Sequence, residues 1–517
     1  MSRLSKNALS ALNGQSISLP KYDVDSLRCG IVHLGIGAFH RAHQAYYTHL
    51  SMNDTKDSNW GIIGVSLRRP NVAEQMNPQD GLYTLVEQSN DGNQYELVAA
   101  VKKVLVAPDS PKEVLELMSN EQTHIVSLTV TEKGYCHDPA TGELNLSHPD
   151  IQHDLNNLSK PKSAIGYLIS ALYVRYQHKL APFTVLCCDN LPDNGKLLKG
   201  LLLRFAFELN DDFCTWLKDE VACPCTMVDR IVPATQPDDI EALEQHLGFK
   251  DMAMVKAEPF KQWVIENNFC SPRPKWEAQG ATFVENVAEY EDMKLRLLNG
   301  SHSSIAYLGF LSDCEYVSDV MENTVLNQFV SDLMEQEISL AVKEPDKIDI
   351  HAYKADLRSR FSNAALKHRT YQIAMDGSQK LPQRLLNTLD YLLKHNHPFK
   401  RIAFVLATWM HYVSGKKPVS GKKPVSGKNT FEVQDPLLGE FQKIEARYEI
   451  NESNTDADSA QKKVREKVLA YLQIRQIFKP SFLQHTELVD AITEAYQSIK
   501  QYGVIDSVDR LCKSLKV

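Results

Sequence analysis

Hydrophobic positions fall into two regimes along the chain. Over the first 290 residues they come in short β-branched runs separated by glycine and polar breaks, and from Glu291 onward they recur at helical spacing. The first firm run is GIVHL at 30–34, closed by Gly35-Ile36-Gly37, after which AFHRAHQAYYTHL predicts a helix through Leu50. Further strands are predicted at 60–67 (WGIIGVSL), 83–87, 95–101, 124–131, 183–188 (FTVLCC) and 226–228 (TMV), with a helix over 163–178. This alternation predicts an α/β sheet flanked by helices. The later segments 292–311, 317–342, 384–395, 399–413 and 484–500 are amphipathic at helical period and predict a mainly α-helical domain. The expected organisation is therefore a dinucleotide-binding, Rossmann-type domain over 1–290 and a mainly helical substrate-binding domain over 291–517, with 1–28 an irregular lead-in.

Two stretches stand outside both regimes. VSGKKP at 413–418 recurs at 419–424 and is followed by VSGK at 425–428; with so little apolar content it predicts a mobile surface loop without chemistry. NESNTDADSAQKK at 451–463 predicts a second exposed loop. A length of 517 residues exceeds what one core usually supports, which agrees with two domains. Acidic residues (65) outnumber basic ones (57), giving a net charge of −8, and the single basic run lacks interleaved aromatics, so a nucleic-acid partner is not expected. Ten irregularly spaced cysteines, a polar N-terminus and no apolar run of about 20 residues predict a soluble cytoplasmic protein with reduced thiols and no membrane partner. A monomer or small homo-oligomer is expected.

Strand, glycine turn and helix at 30–50 form the opening of a nucleotide-binding βαβ unit, in which backbone amides receive a pyrophosphate. The candidate cofactor contacts are Gly35, Ile36, Gly37, Ala38 and Phe39, although His40 stands where a third glycine would complete G-x-G-x-x-G. Strand two is followed by Arg68-Arg69-Pro70-Asn71 in place of the acid that usually meets the adenosine ribose, and such basic residues could accept a 2′-phosphate. Later strands also end in polar residues: Asp189 and Asn190 after FTVLCC, and Asp229 and Arg230 after TMV. Singly these are a turn and a local ion pair; together they suit a ligand-binding sheet edge.

The stretch Met293 to Tyr307 places Lys294, Asn299 and His302 on one broad face with Leu295, Leu298 and Ile305, at about 100° per residue. Burying such groups is unfavourable by several kcal/mol unless they are partnered. A buried lysine has its pKa lowered toward neutrality and suits acid/base work; the alternative is a structural lysine that snorkels to solvent. The segment 360–386 gathers Arg369, Lys380 and Arg384 around a Gly-Ser break, as a carboxylate site or as a solvated helix face. No metal site is expected, since neither His40 with His43 nor Cys223 with Cys225 has the second pair that closes a tetrahedral shell.

Beyond these patterns, GIGAFHRAH at 35–43, SLTVTEKGYC at 127–136, CDNLPDNG at 188–195, MVDRIVPA at 227–234, EPFKQWVIENNF at 258–269 and KLRLLNGSH at 294–302 resemble the polyol-specific long-chain dehydrogenases, the mannitol dehydrogenase family. PKSAIGYL at 161–168, PCTMVDRIVPA at 224–234 and HRTYQIAMDGSQKLPQRLL at 368–386 resemble most its members that interconvert fructuronate and D-mannonate. The resemblance runs from about Gly30 to Tyr448, and the VSGKKP repeat departs from it. It implies an NAD-dependent, metal-independent oxidoreductase of hexuronate catabolism with its site between a Rossmann-type and a helical domain. On this sequence it makes Lys294 the general acid/base, gives Asn190 and Asn299 the reacting oxygen to hold, and has His302 orient substrate. Asp229 then lines the pocket, Lys380 and Gln372 meet the substrate's far end, and one of Arg369 and Arg384, with Arg384 preferred, forks onto a substrate carboxylate. Glu132 takes the place of an acid near the proton path, grouped with the cofactor turn.

Overall fold

The computed structural model describes residues 2–138, 141–346, 348–417, 430–448 and 457–515, and the chain divides into two compact units, Met1–Ala288 and Glu289–Val517. In the first unit five strands form one parallel sheet: β1 (Cys29–Leu34), β2 (Gly61–Ser66), β5 (Val101–Val106), β6 (Ile125–Leu128) and β7 (Thr184–Cys187), in the order β5-β2-β1-β6-β7. That order reverses direction between β1 and β6, which makes the carboxyl edge there the expected ligand crevice of a Rossmann-type sheet. Alternate residues face opposite cores. Ile31, Ile62, Ile125 and Leu186 join one hydrophobic cluster, whereas Val32, Ile63, Val126 and Val185 join another. Burial on both faces explains why these runs read as continuously apolar.

The α/β first unit and the helical second unit agree with the expectation from sequence, but several elements differ in detail. The helix expected over 38–50 is two, Ala38–Ala42 and Gln44–Thr55, broken where His43 takes φ −122° and ψ −87°. The run at 95–101 is the end of β4 (Gly92–Val98) and the first residue of β5. β3 (Tyr83–Ser89) and β4 pair with β9 (Val255–Ala257) in a separate three-stranded sheet. Likewise β8 (Thr226–Asp229) belongs to a third sheet, antiparallel to β10 (Gln262–Glu266), which pairs with β11 (Thr282–Val284). The expectation that Asp189 and Asp229 end strands of one sheet is thereby corrected. Strand pairing depends on distant partners, and period alone does not contain it.

In the second unit one core gathers around the helix Lys400–Val413, thirteen of whose residues are buried. It packs against Thr486–Tyr502. The long helix expected over 317–342 is divided into Val317–Glu322, Thr324–Gln336 and the 3-10 turn Ile338–Ala341, with Asn323 capping the amides of Val325 and Leu326. The loop expected at 451–463 is corrected for its second half, where Ala457–Leu472 is a helix; 451–456 lie outside the described residues. Of the repeat, Val413 ends the preceding helix and 418–428 lie outside the described residues. No helix among the described residues is long and apolar enough to cross a membrane.

Candidate active site

The first unit offers a cradle made of backbone. At the end of β1, Gly35 has φ +90°, and a Cβ there would lie 2.2 Å from the Thr129 carbonyl oxygen, so only glycine fits. Gly37 faces open space, its virtual Cβ meeting only the Gly35 carbonyl oxygen at 3.9 Å. The helix Ala38–Ala42 that follows has no side-chain cap, which leaves first-turn amides available to a ligand. Ile36 packs against Gly64 of β2.

His40 is 1% exposed and stacks on His33 of β1, ring centroids 3.4 Å apart. His33 in turn bonds Ser127 at 2.8 Å and Thr129 at 2.9 Å, and the Thr129 hydroxyl donates to the Gly35 carbonyl at 3.0 Å. These bonds tie the glycine turn to β6. Burial drives the His33 pKa well below its ordinary value and that of His40 down to about 3, so both rings are neutral. His40 bonds Gln44 and His43 bonds the Gln262 carbonyl, and among the described residues no group of three or more His, Cys, Asp or Glu could hold a metal ion.

Asp189, after β7, accepts from the amides of Val130 (2.8 Å) and Thr131 (3.2 Å) and from the Tyr135 hydroxyl (2.7 Å). It thus pins the turn Glu132–Tyr135, where Glu132 is exposed and Thr131 holds φ +66°. Asn190, next to it, is exposed. Asp229, 3% exposed, ends β8 opposite Gln262. Its neighbour Arg230 is a structural tie: the guanidinium pairs with Glu87 and donates to the carbonyls of Ala42 (2.6 Å) and Glu258 (2.8 Å).

The second unit offers side chains on deformed helix. Lys294–Gly300 is a π-helix, continued by the α-helix Ser301–Leu311. In a π turn the amide of residue i+5 meets the carbonyl of residue i, so Asn299 sits one turn above Lys294. Regular α spacing would separate them by about 140°. Lys294, Asn299 and His302 are 5%, 9% and 8% exposed, which favours the buried lysine over a snorkelling one. A second π segment, Pro382–Leu386, lies against the first, and a Cβ on Gly300 would come within 2.7 Å of the Arg384 carbonyl oxygen.

Arg384 points its guanidinium to Ser303, Nη1 donating to Oγ at 3.0 Å, and burial lowers its pKa. His302 stacks on Phe361 and meets His368 edge-on at 4.9 Å, and its Nε2 is buried with no hydrogen-bond partner. Its pKa is held well down by burial and by the neighbouring His368, Arg384, Arg360 and Lys380. Every charged group in that account is cationic. Lys380 donates to the carbonyls of Ile373 (3.2 Å) and Met375 (2.6 Å), leaving one of its three N–H groups, and burial with nearby Arg384 lowers its pKa to about 8. The Gly-Ser break is a packing requirement, since a Cβ on Gly377 would lie 2.5 Å from the Tyr307 hydroxyl.

The structure does not bring all the expected residues of this segment inward. Arg369 is 65% exposed at its side chain and pairs with Glu315 at 3.6 Å, which leaves Arg384 as the more buried arginine of the two candidates. Gln372 is exposed on the helix Thr370–Ala374. Sequence reasoning missed Ser303, Arg360 and His368 as site residues, although all three lay in the stretches 293–307 and 360–386 already singled out.

Known proteins share this architecture throughout. The mannitol dehydrogenase Rossmann domain matches residues 29–278, and the mannitol dehydrogenase C-terminal domain matches residues 286–500. D-mannonate oxidoreductase of Escherichia coli (strain K12) is 42% identical over 96% of this chain and 98% of its own length. Mannitol 2-dehydrogenase of Aspergillus terreus is 36% identical over 96% of this chain and 95% of its own. Among solved structures, Pseudomonas fluorescens mannitol 2-dehydrogenase in ternary complex with NAD and D-mannitol superposes with a TM-score of 0.85 at 33% identity, over 99% of both chains. Matching over both units, with a glycine cradle in one and a buried Lys-Asn-His set in the other, places this chain in the mannitol dehydrogenase family of oxidoreductases.

Proposed function

We propose that the protein interconverts D-fructuronate and D-mannonate with NAD(H), using Lys294 as general acid/base. The observation that carries the reading is part-buried Arg384, its guanidinium aimed at Ser303 beside His302, because a substrate carboxylate would give that cation a charged partner that a neutral polyol does not. The 42% identity with D-mannonate oxidoreductase supports the same substrate class. The open Gly37 surface and uncapped helix start fit the pyrophosphate of a dinucleotide, and the relative solved with NAD supports that cofactor.

When bound, NADH supplies the hydride that reduces the C5 carbonyl. Lys294 gives its proton to the oxygen as negative charge develops there, and takes it back in the oxidative direction. Asn299, one turn above, donates an amide hydrogen bond to that oxygen, and Asn190 keeps the similar role that the family resemblance gives it. Neutral His302 turns its free Nε2 to a substrate hydroxyl. Arg384, held by Ser303, binds the carboxylate through charge-assisted bonds, with the remaining Lys380 N–H beside it. Asp229 and Gln372 are proposed contacts for the other hydroxyls, and Glu132 for the proton path. A panel assay of NADH oxidation with fructuronate, tagaturonate and fructose tests this. Fructuronate should exceed fructose in kcat/KM by at least a hundredfold, and comparable values would refute the assignment.

A further inference from the structure

The carboxyl ends of β2 and β5 border a cavity of about 550 Å³ that the proposed chemistry does not use. Leu67 and Arg68 come directly from β2, and Ala107 and Pro108 directly from β5. In a sheet of this order the adenosine ribose of a dinucleotide lies at the end of the second strand. The opposite wall is the helix Pro149–Asn156, the loop through Pro161, and Tyr167, whose hydroxyl donates to the Ala107 carbonyl at 3.2 Å. Leu67, Pro108 and Tyr167 thus give the cavity apolar sides suited to a purine.

Its rim is cationic and rigid. Exposed Arg68, Lys160 and Lys162, with His153, face a single lining acid, Asp150. Asp154, fully buried, accepts from the amides of Lys162 and Ser163 (both 2.8 Å), from the Ser163 hydroxyl (2.7 Å) and from His153 (2.9 Å). A Cβ on Gly166 would fall 2.1 Å from its Oδ2, so the clamp admits only glycine there. Surface lysines alone would carry nothing. Here a buried carboxylate fixes the loop that presents them, at the sheet edge, across from a strand end that reads Leu67-Arg68-Arg69-Pro70-Asn71 without an acid. An acid at that position repels a 2′-phosphate; these groups attract one.

We propose that Arg68 and Lys162 form a 2′-phosphate site on this cavity, so that the protein accepts NADP(H) beside NAD(H). The inference rests on the dinucleotide reading above and adds to it. Calorimetry on the full chain compares 5′-AMP with adenosine 2′,5′-bisphosphate, which differ only by the 2′-phosphate. The bisphosphate should bind at least tenfold more tightly, and the Arg68→Ala/Lys162→Ala double variant should erase that difference while 5′-AMP affinity stays within twofold. In turnover, NADPH should reach within tenfold of the NADH kcat/KM, and the double variant should lower the NADPH value alone. Equal binding of the two nucleotides overturns the proposal, as does a difference that survives the double substitution. NADH binding, followed by quenching of tryptophan fluorescence, separates the two readings. Protein that binds NADH without favouring the bisphosphate loses this site only, and protein that binds neither loses the dinucleotide reading as well.

Discussion

The two units build their candidate sites from different parts of the chain. In the first, Gly35 and Gly37 clear space so that backbone amides reach the ligand. In the second, Gly300 clears space so that two π segments can touch, and the proposed site is made of side chains: Lys294, Asn299, His302 and Arg384. A backbone site tolerates change in its side chains but not in its glycines. A side-chain site is sensitive to both, because the groups are few and their aim depends on helical phase.

The largest expected effect tests the side-chain half. Lys294→Ala should lower kcat by 10²- to 10⁴-fold, as loss of general acid/base catalysis typically does, with NADH binding by fluorescence unchanged. A variant retaining more than about a tenth of the activity would remove Lys294 from the chemistry. Next in size, Arg384→Ala should reduce kcat/KM for fructuronate by about a hundredfold, in line with the loss of a buried charge-assisted contact, while leaving fructose within about threefold. Equal losses on both substrates would make Arg384 a packing residue.

The contrast itself is sharpened by two glycine variants and by pH. Gly35→Ala places a Cβ against the Thr129 carbonyl in the left-handed region, which disfavours it by about 1–2 kcal/mol from the backbone alone, and should raise the KM for NADH roughly tenfold or more. Gly300→Ala should instead raise the KM for the sugar acid, since it pushes Lys294–Gly300 away from Arg384. If both variants moved the same parameter, the division between backbone and side-chain sites would fail. Lys380, with its pKa lowered to about 8, is charged below that pH and neutral above it. Its neighbours Arg384, Asp376 and Asp435 share the setting. Carboxylate binding draws on the charged form, so the KM for fructuronate should climb above pH about 8, by at most about tenfold per pH unit, and the KM for fructose should not. Lys380→Met should flatten that climb. The smallest effect belongs to the repeat. Removing one VSGKKP copy should leave activity within about twofold and Tm nearly unchanged, because loop-closure entropy varies slowly with length.

The same division decides what the sequence alone could tell. β1, the glycine turn and the start of the helix were legible, since glycines needed for close backbone approach stand out against an apolar run. The helical phase around Lys294 was not. Counting at 100° per residue keeps Lys294 and Asn299 on one broad face but at its two edges, about 140° apart; the π turn brings them into line, and no local residue announces it. Arg369 and Arg384 looked equivalent in one basic segment, yet a distant residue, Glu315, draws the first to the surface, and Ser303 holds the second inside. The strand at 226–228 was found but assigned to the central sheet, because pairing with β10 depends on residues some thirty-five positions away. Family resemblance supplied the catalytic assignment that pattern could not.

The paired π segments have a consequence for how length varies in this chain. A π turn stores one residue more than the rise of the helix needs. Deleting a residue between Lys294 and Asn299 would let the segment relax to an α-helix with both its span and its phase against Ser301–Leu311 kept, because a π turn fits one more residue into about the same rotation as an α turn. Lys294 and Asn299 would then stand four residues apart and remain neighbours on one face. This stretch can therefore lose one residue and keep its aim, whereas gaining one would turn everything before it by about 100° against Ser301–Leu311.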